Sequence, residues 1–153
     1  MSGLVAAWQD ALAAEHRAAF AYGLLGARLH GTPQAGLAVS CSDAHEALRD
    51  TTAAALTAAG QDPVAPAADY PDLYPVSTVG QAQTLALRVE NDCADAWRYL
   101  YAVAATQTGS QSASQADRLR RGAQSALTAS AVRAVQWRRI LTPSTPSTAF
   151  PGL

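Results

Sequence analysis

A chain of 153 residues with a formal net charge of −1 is long enough to bury a real core in one domain, and its charge announces neither nucleic acid nor a membrane surface. It is 49% hydrophobic with only two Phe and three Trp, so alanine supplies much of the apolar content and favours closely packed helices. All eleven basic residues are arginine, and six of them lie from residue 111 onward against one acid, Asp117, while the first 110 residues carry eleven acids and five arginines. A basic last helix set against acidic neighbours in its own fold accounts for that asymmetry, with an anionic partner as the alternative.

The opening MSGLVAAWQDALAAEHR lacks a basic leader region and is interrupted by acids, so it does not read as a secretory signal. No stretch reaches the roughly 18 uninterrupted apolar residues of a membrane span. Cys41 and Cys93 have no CxxC spacing and read as small core residues, which makes a cytoplasmic protein with free thiols the expectation.

The first helix is predicted from Gly3 to His30. At 100° per residue, Leu4, Trp8, Leu12, Ala19, Tyr22 and Leu29 share one face, and Glu15 falls in the middle of it. A carboxylate on an inward stripe needs a metal, an arginine, a histidine or a proton, because an unpaired buried charge costs several kcal/mol. Phe20 and Leu24 lie on the opposite side, where water is a poor neighbour, and mark the expected contact of a homodimer.

GTPQAG at 31–36 ends that helix, and a second is predicted over 34–59 with Leu37, Cys41, His45, Leu48, Thr52, Ala55, Leu56 and Ala59 inward. Gly60 suits the left-handed residue after it. Residues 61–77 hold four prolines and cannot be regular helix. Ser77 or Thr78 caps a third helix to Thr108, with Leu85, Val89, Cys93, Ala96, Leu100 and Val103 inward and Glu90, Trp97 and Tyr101 on the flank. GSQSAS at 109–114 reads as a polar break before a fourth helix to Leu141, with Leu119, Ala123, Leu127, Ser130, Ala134 and Trp137 in line.

No alternating β-branched run competes, so the class is all-α. Short connections make helices 1 and 2, and 3 and 4, antiparallel neighbours, while the long 2–3 connection can cross the whole bundle. That is the ferritin-like antiparallel four-helix topology, over residues 1–142. Residues 143–153 form a Ser/Thr/Pro tail, in which Phe150 and Leu153 suggest docking rather than free chain.

The chain also resembles the alanine-rich bacterial ferritin-like domains grouped as a family of unknown function. The resemblance is carried by AAEHRAAFAYGLLGARL in helix 1, AHEALRD in helix 2, the Tyr-Pro crossover, VEND with Trp97 in helix 3, AVRAVQW in helix 4 and the terminal FPGL. It implies the fold and a cytoplasmic bacterial protein, and it brings no activity.

The wider ferritin-like class holds two iron or manganese ions with a Glu on helices 1 and 3 and a Glu-x-x-His pair on helices 2 and 4. Helix 1 supplies Glu15 and helix 3 offers Glu90. Helix 2 has Glu46-x-x-Arg49, with an arginine where a ligand is needed and His45 one position off the pattern; helix 4 has neither Glu nor His. If any metal binds, Glu15, His45 and Glu90 are the candidates. The expectation is instead no cofactor, and a buried polar network of Glu15, His45, Arg49 and Glu90. Arg49 is 17 residues beyond residue 32 and Glu15 is 17 before it, so the two stand at nearly the same height.

No Ser–His–Asp set converges on one face and no glycine-rich phosphate loop occurs. The expected function is therefore a non-catalytic helical module, dimeric and with an unidentified protein partner, while nucleic acid and membrane are not expected. A carboxylate-bridged iron or manganese oxidoreductase, or an iron-handling protein, is the alternative.

Overall fold

The structure is a computed structural model and describes residues 2–107 and 110–147. Four α-helices, α1 (Ser2–Leu29), α2 (Ala35–Ala58), α3 (Val79–Ala105) and α4 (Ser110–Leu141), form a four-helix bundle, and among the described residues there is no strand. Phe150 and Leu153, on which the docked tail rests, lie outside the described residues. Among the described residues no helix is long and apolar enough to cross a membrane.

The helix ends follow from local chemistry. Gly60, at φ +73°, closes α2: its N–H donates to the Thr57 carbonyl at 2.9 Å, and the Gln61 N–H donates to that of Leu56 at 3.0 Å. This double bond is the glycine-terminated stop in which only a residue without Cβ sits unstrained. Thr78 opens α3 with a reciprocal cap, its hydroxyl accepting from the Gln81 N–H and the Gln81 side chain accepting from the Thr78 N–H. The polar stretch predicted as a break at 109–114 is mostly helix, since α4 begins at Ser110. Serines and glutamines leave backbone bonding intact in a first turn, and without a proline nothing in that stretch forbids it.

The core runs along α1 through Leu4, Ala7, Trp8, Ala11, Leu12, Ala18, Ala21, Tyr22, Leu25 and Leu29, all buried. Ala18 and Ala21 replace the expected Ala19, which is half-buried. In α3 the buried face is broader than one stripe and includes Glu90 and Trp97, because α3 packs against both α1 and α4. Alanine at these crossings lets the backbones approach closely. Between α2 and α4 the bundle stays more open, with a groove of about 440 Å³ whose floor includes Trp8 and Trp97.

The crossover from Ala59 to Thr78 lies along α1. Gln9 bonds the Asp62 carbonyl and the Val64 N–H, at 2.7 and 2.8 Å, and His16 Nε2 meets the Val64 carbonyl at 2.9 Å. Its one regular piece, a single 3-10 turn at Pro71–Leu73, buries Leu73 and is gripped by two arginines. Arg17 and Arg88 both bond the Asp72 carboxylate, the latter at 2.8 Å, and Arg17 also reaches Asp92 at 3.0 Å.

The expected dimer-contact residues Phe20 and Leu24 are partly covered within the chain itself. Phe20 packs on Tyr70 with ring centroids 5.1 Å apart, and both Phe20 and Leu24 are partly buried against the core. A proline-rich segment has no periodicity to announce which face it covers.

Leu73 and Asp72 separate apolar from ionic anchoring. Leu73→Ala is expected to lower stability by about 2–5 kcal/mol, as for other buried leucines. Asp72→Asn should cost under about 1 kcal/mol, since its ion pairs are open to solvent. Urea titration of both variants checks the order, and added salt should shrink only the Asp72 effect.

Candidate functional site

The inward faces of all four helices meet at a buried ionic centre. Glu15 comes from α1, His45 from α2, Glu90 from α3, and Arg133 reaches in from α4; the first three side chains are fully buried. His45 Nδ1 lies 2.6 Å from Glu15 Oε2, and His45 Nε2 lies 3.1 Å from Glu90 Oε1. An ionised carboxylate only accepts, so between two of them both ring nitrogens donate, as an imidazolium does.

The further bonds to the two carboxylates come from the same set of helices. Trp97 Nε1 donates to Glu15 Oε1 at 2.7 Å. The Tyr22 hydroxyl donates to Glu90 Oε1 at 2.6 Å and accepts from Trp137 Nε1 at 2.9 Å. Arg133 Nε bonds both Glu90 oxygens, at 3.1 and 3.0 Å, and its Nη2 donates to Ser130 Oγ at 3.1 Å. Among the described residues no buried side-chain nitrogen or oxygen lacks a partner.

Electrostatics favour the proton on His45. Burial alone would push the imidazole down, but its bonds to Glu15 and Glu90 outweigh that and raise it to about 9. Burial is the largest cause of upward shifts at Tyr22 and Cys41, reinforced by the Glu90 charge, and the Cys41 thiol is pushed up to about 11. Cys93, buried beside the centre, is also raised well above the usual thiol range by burial. Both thiols and the phenol are neutral at pH 7.

Of the four residues expected in the network, Glu15, His45 and Glu90 converge and Arg49 does not. Arg49 turns outward and bonds Asp50 at 2.8 Å. Arg49 matches Glu15 in height along the axis, but bearing around the helix decides: His45 is on the inner stripe with Cys41 and Thr52, and Arg49 is rotated about 40° away. A guanidinium with an exposed carboxylate next to it also has no reason to shed its water. The arginine of the centre is Arg133, which sequence reasoning missed. Its signal was present: it lies between Ser130 and Trp137 on α4, one residue off the inner stripe, where a long side chain can lean inward.

An iron or manganese pair sets a different demand on the donor set. Such a pair needs several carboxylate and imidazole lone pairs aimed at empty space. Here a proton lies on each side of His45, and Arg133 covers both Glu90 oxygens. Two positive side chains balance two carboxylates before any cation enters. The residues do not fit a two-metal centre. Glu15, His45 and Cys93 do bring one donor atom each within 4.8 Å of one another, which is the one metal-like cluster among the described residues.

Comparison with known proteins adds kinship without an activity. Residues 7–153 match the model of a domain of unknown function, DUF4439. A solved structure of a conserved hypothetical protein from Mycobacterium tuberculosis is 34% identical, with a TM-score of 0.78, over 91% of this chain and 97% of that one. No curated protein matches the chain.

Two outcomes follow from the centre. Arg133→Leu strands the Glu90 charge and is expected to cost about 3–5 kcal/mol, whereas Arg49→Leu should be near neutral; equal effects in urea denaturation would contradict the assignment. His45 is raised from 6.5 unfolded to about 9 folded, so its contribution is complete below pH 6.5 and is lost as pH rises through 9. The expected fall across that window is on the order of 3 kcal/mol, and it should vanish in His45→Gln. A stability that stays flat from pH 6.5 to 9.5 in the unmodified protein would count against an imidazolium.

Proposed function

The chain belongs to the DUF4439 family, and from its centre we propose a non-catalytic, ferritin-like helical module in which an ion network stands where that fold class carries two metal ions. The observation that carries this reading is the pairing of Arg133 and His45 with the two buried carboxylates. Each buried side-chain nitrogen and oxygen of the centre has at least one partner, and two cationic side chains face the two carboxylates, which supports a structural role over ligand binding. Its work is to fix the relative height of four alanine-rich helices, whose smooth faces would otherwise slide past one another; buried ionic groups are better suited to register than to stability.

A module of this kind acts through its outside. We place it in the cytoplasm, consistent with its buried thiols, and acting on a protein partner. A homodimer stays part of the reading, with Phe20 and Leu24 partly covered and Val39, 60% exposed, adding apolar surface. Light scattering at high micromolar concentration tests that element.

The second reading, a metal-dependent oxidoreductase or iron-handling protein, draws on the Glu15, His45 and Cys93 cluster. Elemental analysis of protein purified without chelator separates the two. We expect iron and manganese far below one ion per chain, unchanged in Glu15→Gln. One or two ions per chain, lost in that variant, would restore the metal reading.

A further inference from the structure

One seam of the bundle is barely closed. α1 packs on α2 and α3, and α3 packs on α4, whereas α2 and α4 scarcely meet. Between them lies the groove of about 440 Å³, within the range of roughly 300–1,000 Å³ typical of small-molecule sites. Its α4 wall runs from Gln115 to Ala123, about 12 Å at 1.5 Å per residue. Small aliphatic side chains such as Ala55, Ala58 and Ala123 leave the space open above Trp8 and Trp97.

Few polar atoms line this space, and most are already engaged. Thr51 and Thr52 donate their hydroxyls to the Ala47 and Leu48 carbonyls of their own helix, and Trp97 Nε1 donates to Glu15. The Trp8 indole differs. Trp8 is only 5% exposed, yet its N–H makes no hydrogen bond among the described residues. No fully buried nitrogen among them lacks a partner, so this N–H keeps access to the groove that Trp8 lines. The one charged side chain of the lining is Arg118, which has no acid partner among the described residues; its neighbour Asp117 pairs with Arg120 at 3.0 Å. Gly122 lies well inside α4, where glycine weakens a helix, and a Cβ there would meet nothing within 4 Å. Neither backbone nor packing requires that glycine, and the space over it stays free.

We propose that the α2–α4 groove binds a medium-chain aliphatic carboxylate. Arg118 and the Trp8 N–H take the carboxylate, and the acyl chain lies over Trp97 between Leu48 and Ala123. A lone arginine selects an anion, and the open indole N–H supplies a second donor to it. The walls are aliphatic, and a slot of this length is longer than a single aromatic ring would fill. The site is separate from the ionic centre, since Trp97 gives the groove only its ring.

Titration of the full chain with decanoate, followed by tryptophan fluorescence, tests this. Trp8 and Trp97 are expected to report a saturable change. From butyrate through hexanoate and octanoate to decanoate, affinity should rise roughly tenfold for each pair of methylenes buried. Arg118→Gln should weaken decanoate roughly threefold and leave decanol unaffected. Gly122→Leu, and from the facing wall Ala55→Leu, fill the groove and should abolish binding without lowering the melting temperature. The proposal is overturned by no saturable change, by an affinity independent of chain length, or by a decanoate affinity unchanged in Arg118→Gln. Undiminished binding in both filled variants overturns it too. Tighter binding of phenylacetate than of decanoate means an aromatic occupant, and a dimer that Gly122→Leu breaks apart means a second copy; either result overturns it as well. None of these readouts depends on metal content, so this inference and the reading of the centre can fail separately.

Discussion

The bundle depends on one imidazolium held between two carboxylates, all three fully buried. Each of these three groups would cost several kcal/mol to bury alone. Together with Arg133 they balance in charge, and the carboxylates take further bonds from an indole, a phenol and a guanidinium. His45 bridges α1 and α3 from α2, and Arg133 ties α4 to the same Glu90. A slip of one helix by a single turn moves its contribution by about 5 Å and breaks at least one charge-assisted bond. Alanine-rich helices have little side-chain relief to prevent such a slip. The polar centre supplies the specificity that the apolar faces lack.

Around that centre, aromatic residues serve two roles at once. Trp97 donates to Glu15 on one side and forms the floor of the α2–α4 groove on the other. Trp137 and Tyr22 pack together and also complete the second layer of bonds around Glu90. Each contributes large apolar area while presenting one polar atom to a site that must be fully satisfied. This is why a chain with so few aromatic residues places these three against the ionic centre.

How much of this could be read from the sequence depended on which physical signal each feature leaves. Helix number, order and ends follow from periodicity and from glycine, proline and capping residues, which act locally. Glu15 and His45 are legible because a charged or titratable residue interrupts an apolar stripe. Arg49 and Arg133 show where this fails. Both are arginines near the stripe edge, and what distinguishes them is which carboxylate lies within reach of the guanidinium, a matter of bearing between helices. Phe20 shows a second kind of limit. Its cover is a proline-rich crossover whose path is set by side-chain bonds from Gln9, His16, Arg17 and Arg88, none of which forms a pattern along the chain.

The choice between protons and metal at the centre reduces to a comparison of charges and proton affinities. A divalent ion bound by Glu15, His45 and Cys93 would displace one proton from the imidazole and one from the thiol. Two positive charges enter and two leave, so electrostatic balance does not discriminate between the forms. Proton affinity does. With His45 held at about 9, removing its proton at pH 7 costs about 3 kcal/mol, and the Cys93 thiol, further raised by burial, adds more. The Cys93 thiol also gives up a contact with the Ala14 carbonyl at 3.7 Å. Arg133 on Glu90 imposes the remaining penalty, since it keeps that carboxylate from joining as a fourth ligand. The same two cationic side chains that make the centre stable without a metal thus set the threshold that a metal would have to overcome.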